Sequence, residues 1–210
     1  MKFLLITILI ANPFIAFSQS GSVLDTRDGN NYRTVKIKNT NWMIDNLEFD
    51  TEKSIALSKV DKDKYNLTGR YYDMSEFATA CPVGWRIPEV SDWLSYFQYI
   101  ADEQSPALAL EVTTIDKPVH YTIANYSDKI DLFSEDNLIN LQPTGRIEGG
   151  VLNIPTDYAD YWTIDKNEEA EGRSHIHFMN AWTTIHSHKH HLKPNQKKKL
   201  RKFMIRCVAN

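Results

Sequence analysis

Trp93, Tyr96, Phe97 and Ile100 stand at i, i+3, i+4 and i+7, the spacing that lays one apolar stripe along a helix. Pro88 and Glu89 fit the first turn of that helix, which is therefore predicted to open at Pro88. Elsewhere the hydrophobic period is two, or absent. Tyr32 to Ile37 is rich in β-formers and partly alternating. Asp28-Gly29-Asn30-Asn31 supplies turn chemistry before it, and Trp42-Met43-Ile44 reads as the returning strand. Further short strands are predicted at Gly69–Asp73, Val151–Ile154, Tyr158–Ile164, Ser174–Met179, Ala181–Ile185 and Phe203–Val208. Leu138–Leu141 and Arg146–Ile147 read as a hairpin turning at Pro143–Gly145, with a further turn at Gly149-Gly150. Residues 50–66 are charged and aperiodic, which predicts a surface loop. A second short helix is expected over Ser105–Leu110, with Pro106 near its start. Short antiparallel strands around one or two helices, with much loop, give the α+β class.

The amino end has a different pattern. Lys2 is followed by an apolar run from Phe3 to Ile10, broken only by Thr7. A second apolar patch follows Pro13, and Ala16 and Ser18 are small residues at −3 and −1 of a cleavage point before Gln19. This is the pattern of a secretory signal peptide, so residues 1–18 are expected to be removed, leaving 19–210 as one domain. No transmembrane segment is expected after that removal. The location implied is extracellular, periplasmic or cell-surface-associated. The 210 residues suffice for one domain with a real core. A 42% hydrophobic and 24% charged composition excludes general disorder and a multi-span membrane protein.

Export changes how the cysteines read. Cys81 and Cys207 are the only two, and an oxidising compartment favours joining them. The alternative is two free thiols. A bridge over so long a loop stabilises by about 4–5 kcal/mol in the chain-entropy model.

The formal net charge of −3 suggests no preference for nucleic acid, but the charge is polarised. Residues 172–210 carry nine Lys and Arg and no Asp or Glu. The preceding residues carry fifteen basic against 27 acidic side chains. Such a chain either folds its basic end onto its acidic body or shows a basic face to an acidic partner. Lys189, Lys193, Lys197, Lys198, Lys199 and Arg201 are the candidate anion contacts, and Trp182 is the candidate stacking residue. Core packing between strands is the alternative for Trp182.

Six of the seven histidines fall between 175 and 191. His175 and His177 share one strand face, because side chains two apart point the same way. His186 and His188 repeat the spacing on what would be the antiparallel partner strand. Four imidazoles so arranged suit zinc or copper. No Asp or Glu within the segment supports them, and the adjacent lysines oppose a cation. Alternatively the imidazoles gain charge below about pH 6.5 and add to a basic patch that meets anionic polysaccharide or surface lipids.

Three blocks together resemble the Fibrobacter succinogenes major paralogous domain, a family of exported bacterial modules. The first runs from Asp28-Gly29-Asn30 through Tyr32, Thr34-Val35, Ile37 and Trp42-Met43 to Asn46-Leu47. The second is Gly69-Arg70-Tyr71-Tyr72, then Cys81-Pro82-Val83-Gly84-Trp85-Arg86-Ile87-Pro88 and Trp93. The third is Gly145-Arg146, Tyr161-Trp162 and the terminal Arg206-Cys207-Val208. The resemblance implies a C-type lectin-like fold, in which a disulfide ties a late strand to the region of the first helix, and hence a Cys81–Cys207 pair. It implies a surface or matrix module more than a reaction. Trp42, Trp85, Trp93 and Trp162 fall in these blocks and are expected to build the core.

The calcium-dependent sugar site of true C-type lectins is not expected. Gln142-Pro143-Thr144 lacks its carboxylate, and Lys193-Pro194-Asn195 puts an ammonium there. No GxSxG elbow, HExxH helix or phosphate-binding glycine loop is present. Asp92, Glu148, Asp157 and Asp160 are carboxylates of unconstrained geometry. The sequence therefore points to an exported, non-catalytic module that binds a surface polysaccharide or a cell-surface protein. Transition-metal binding and a purely structural surface role are the alternatives.

Overall fold

The computed structural model describes residues 20–104, 110–113, 120–123, 137–154, 158–164, 173–179, 184–186 and 201–210. The expected signal segment lies outside them. The chain starts with β1 (Ser20–Leu24), β2 (Asn31–Ile37) and β3 (Thr40–Met43), an antiparallel meander. Its first turn is the Asp-Gly-Asn motif: Gly29 has a φ of 80°, and the Asp28 carboxylate accepts from Asn30 N–H. Next come β4 (Ile55–Ala56), α1 (Lys59–Tyr65), β5 (Arg70–Tyr72), a 3-10 turn at Met74–Glu76, α2 (Phe77–Ala80) and β6 (Trp85–Arg86). The long helix α3 (Val90–Gln104) follows, then β7 (Leu110–Thr113) and β8 (His120–Ile123). The remaining described elements are strands: β9 (Arg146–Glu148), β10 (Val151–Asn153), β11 (Tyr158–Ile164), β12 (Arg173–Met179), β13 (Thr184–His186), β14 (Arg201–Met204) and β15 (Val208–Ala209).

The described strands form three sheets. The smaller of the two main sheets runs β1-β2-β3-β15-β6, and the larger runs β10-β9-β14-β11-β12 with β5 and β4 joined through β14. The third is β13-β8-β7. The last ten residues serve both main sheets. β14 lies between β9 and β11, β15 lies between β3 and β6, and Ile205 to Cys207 cross from one to the other. The crossing is fixed by Leu47 N–H on Ile205 O at 2.9 Å and Met43 N–H on Cys207 O at 3.0 Å. Cys207 is bonded to Cys81.

The helix stripe is as predicted: Trp93, Tyr96, Phe97 and Ile100 are all buried. Their rings meet Trp42 (4.7 Å from Trp93) and Phe178 (5.2 Å from Trp93). The helix begins at Val90, two residues after Pro88. The Asp92 carboxylate caps it by accepting from Glu89 N–H at 2.7 Å while gripping Arg86 with both oxygens. A second core lies on the other face of the large sheet, around Tyr72, Trp162, Phe203 and Ile205. β11 is thus buried on both faces. Trp85 is only half-buried, unlike the three other tryptophans of the blocks.

Several expectations need correcting. Residues 50–66 are not a plain loop, because they hold β4 and α1. That helix buries no residue, so it has no apolar period to detect; Ser58 caps its start and Asn66, at φ 50°, ends it. The hairpin turns at Gly149-Gly150 between β9 and β10, and residues 138–141 are irregular though Ile139 and Leu141 are buried. The expected closing strand is two strands in two sheets. Leu110 begins a strand, and residues 105–109 of the expected second helix lie outside the described residues. β1 had no sequence signal, since Ser20-Gly21-Ser22 is exposed and unpatterned.

Arg206 and Asn46 are both buried, and Arg206 Nη2 donates to Asn46 Oδ1 at 2.5 Å. Asn46 Nδ2 in turn donates to Thr68 O at 2.9 Å and to Gln142 Oε1 at 3.2 Å. Gly69 sits directly against it with a φ of 114°, and a Cβ there would lie 2.7 Å from Asn46 Cβ. At the other end Arg27 binds Asp25 through two nitrogens, at 2.8 and 2.6 Å. It also donates to Thr79 O and Ala80 O and lies 3.7 Å over the Phe49 ring. It therefore locks the first hairpin to the end of α2, beside Cys81.

Two outcomes follow from these contacts. Gly69→Ala combines a left-handed φ with displacement of Asn46, and is expected to cost about 2–4 kcal/mol in urea unfolding. Hydrogen bonding from Arg27 holds the Asp25 carboxyl below its usual 3.8. A depressed folded-state pKa contributes stability that is complete above the unfolded value and lost as pH falls through the folded one. Arg27→Met is expected to cost about 2–3 kcal/mol at pH 7, the low end for breaking a buried pair because Arg27 is a quarter exposed. The deficit against the native protein should narrow as unfolding is measured below about pH 4.

Candidate functional site

β12 pairs antiparallel with β11, and the register sets His175 opposite Trp162 and His177 opposite Asp160. Residues directly opposite in an antiparallel pair share a face. His175 and His177 do share one, as the spacing implied, and both turn toward Asp160. His177 Nδ1 lies 2.6 Å from Asp160 Oδ1, and His175 Nε2 lies 3.8 Å from the same oxygen. His175 is buried and stacks on Phe203 of β14, with ring centroids 4.4 Å apart.

Asp160 itself is fully buried. Its other oxygen lies 3.3 Å from Arg146 Nη1. Its backbone N–H and C=O are both bonded to the Thr144 hydroxyl at 3.2 Å. Arg146 also reaches Glu148 at 3.4 Å, and Glu148 accepts from Arg201 Nη2 at 2.9 Å. Tyr158 lies at the end of this row, its ring 4.9 Å from that of His177 and 5.7 Å from Arg146 Cζ. The face thus reads His177, Asp160, Arg146, Glu148, Arg201 across four strands, with charge alternating in sign. With Asp160 ionised, the bond fixes the proton of His177 on Nδ1 and sets the plane of its ring.

The structure reaches only part of the four-histidine arrangement expected from the spacing, because His188 lies outside the described residues. The ladder partner of β12 is β11; β13, which ends at His186, pairs instead with β8, with His186 in register with His120. The carboxylate that the histidine segment lacks in sequence comes from Asp160, fifteen residues before His175 in the chain and next to it in the sheet. No group of three or more His, Cys, Asp or Glu among the described residues is arranged to hold a metal ion. Trp182, His188, Lys189, Lys193, Lys197, Lys198 and Lys199 lie outside the described residues. Arg201 is engaged with Glu148. The candidate carboxylates Asp92, Glu148 and Asp160 are each held by an arginine, and Asp157 lies outside the described residues.

Asp160 was the informative residue that sequence reasoning left undistinguished. Its signal was its place as the only charged residue in the aromatic strand Tyr158–Ile164. A lone carboxylate in a strand buried on both faces requires partners. No helix among the described residues is long and apolar enough to cross a membrane.

The three motif blocks meet in space. Asn46, Gly69, Tyr161 and Arg206 surround one buried polar contact; Cys81 and Cys207 close the bridge; and Arg146 reaches the buried Asp160. No curated protein and no solved structure matches the chain. The family model of the Fibrobacter succinogenes major domain matches residues 30–209, which takes in the second and third blocks and the first from Asn30 onward. The chain belongs to the Fibrobacter succinogenes major domain family.

Proposed function

We propose that the protein is an exported, non-catalytic binding module of C-type lectin-like architecture. In this reading it recognises an anionic surface polysaccharide, or a cell-surface protein of like charge, through the basic, histidine-rich segment from His175 to Lys202. The observation that carries this is the balance of charge on the sheet face. Glu148 is shared by Arg146 and Arg201, and Asp160 by Arg146 and His177. The carboxylates on that face are therefore already answered, and the segment 172–210 adds cations without a single further carboxylate. A segment so composed attracts polyanions over about one Debye length and does so less as salt rises.

A second reading has its own support. Lys202 lies 3.9 Å from Asp73, and Arg201 bonds Glu148, so part of the basic end docks on the acidic body. A purely structural role extends that docking to the remaining lysines.

One set of measurements separates the two. Lys197, Lys198 and Lys199 are replaced together by Gln. Binding to dextran sulfate and polygalacturonate is measured at low and high salt, with neutral dextran as control, beside urea unfolding. A binding role predicts at least a tenfold loss of affinity at low salt with stability unchanged. A structural role predicts lost stability instead. Unchanged affinity at low salt would overturn the electrostatic reading.

A further inference from the structure

Neighbouring residues in the terminal crossing have opposed energetics. Arg206 carries a full positive charge to a position with no solvent exposure. Nη2 has two acceptors, Asn46 Oδ1 at 2.5 Å and Asn140 O at 3.2 Å. The ring of Tyr161 lies 5.4 Å from Cζ. Nε and Nη1 are sealed from solvent and bond no acceptor. Among the described residues no carboxylate forms an ion pair with this guanidinium. Asp45 reaches it only through space and is already held by Arg33. A guanidinium does not shed its proton in a protein, so the charge stays. An unpaired buried charge with two orphaned donors opposes the folded position strongly.

Cys207, the next residue, holds that position covalently. Val208, Ala209 and Asn210 follow it, attached by the two-residue strand β15 and by Asn210 N–H on Gly84 O. The stretch from Ile205 to Asn210 is thus held by a short ladder and burdened by Arg206. Its partner sulfur belongs to Cys81, which is half-buried, whereas Cys207 is fully enclosed.

We propose that the Cys81–Cys207 bridge is a redox latch on a loaded terminal segment. A dithiol reductant attacks Cys81 Sγ, the Cys81–Cys207 bond breaks, and Cys207 leaves as a thiolate that takes up a proton. The second thiol of the reductant then displaces Cys81, leaving two protein thiols and an oxidised dithiol. Residues 205–210 then leave the small sheet, Arg206 gains water, and the facing edges of β3 and β6 are left without the strand between them. The latch is set by the redox state around the protein, independently of which ligand it binds.

Hydrogen exchange of the intact chain, oxidised and after dithiothreitol, tests this with thiol titration to confirm reduction. The amides of residues 205–210 are expected to exchange at least a hundredfold faster on reduction, and to gain at least tenfold more than those of α3, which quicken only by the bridge's share of global stability. Arg206→Met removes the charge at similar length, and is expected to abolish most of that acceleration. No acceleration in the fully reduced protein overturns the proposal. So does equal acceleration in α3, which makes the bridge a support for the whole domain, and so does acceleration that persists in Arg206→Met. If that variant does not fold, the comparison of 205–210 with α3 in the native chain decides alone.

Discussion

The contact between the Arg206 guanidinium and the Asn46 side chain holds the architecture in register. Asn46 ends the first meander, Thr68 and Gly69 pack against it from the entry to β5, and Gln142 reaches it from the irregular stretch before β9. Four distant pieces of chain are therefore indexed on one buried amide. Apolar packing alone leaves such pieces free to slide, whereas a buried polar group has few acceptable partners and geometries. The arrangement is costly, since the guanidinium is not matched by a carboxylate. Buried charges are poor sources of stability, and here the bond serves to fix position. The small residue at Gly69 follows directly: any side chain there collides with the indexed amide.

The same logic operates on the polar face of the large sheet. β11 is buried on both sides, and its only charge, Asp160, is answered by an imidazole on β12 and by a guanidinium on β9. The row continues to Glu148 and Arg201, so the face is a lattice of alternating charge set into strands. Toward Phe203 and Trp162 the same face is apolar, and His175 marks the boundary by stacking on Phe203. On a face of this kind each of these charged side chains is held by its neighbours.

What the sequence made legible was whatever had a period or a fixed chemistry. The stripe of α3, the Asp-Gly-Asn turn, the pairing of β2 with β3, the long strand β11 and the Cys81–Cys207 bridge all carry such signals. Elements with neither stayed hidden: α1 rests on a cap and buries nothing, and β1 is exposed serine and glycine. The site was half legible. His175 and His177 sharing a face follows from strand geometry, but their partner strand is a matter of topology. β12 pairs back on β11, and no local pattern encodes that choice. Asp160 became meaningful only when the register placed it opposite His177. The roles of Asn46, Gly69 and Arg206 were similarly invisible one at a time, since each is defined by the other two.

The terminal stretch also governs the order in which the molecule can be completed. β14 is an inner strand of the large sheet and β15 an inner strand of the small one, yet both come from the final ten residues. A chain that emerges amino end first has β3 and β6 waiting without the strand between them, and β9 and β11 likewise, until residues 201–210 follow. Contacts so far apart in sequence make closure of both sheets slow. One short stretch of chain therefore sets the pace for two sheets at once.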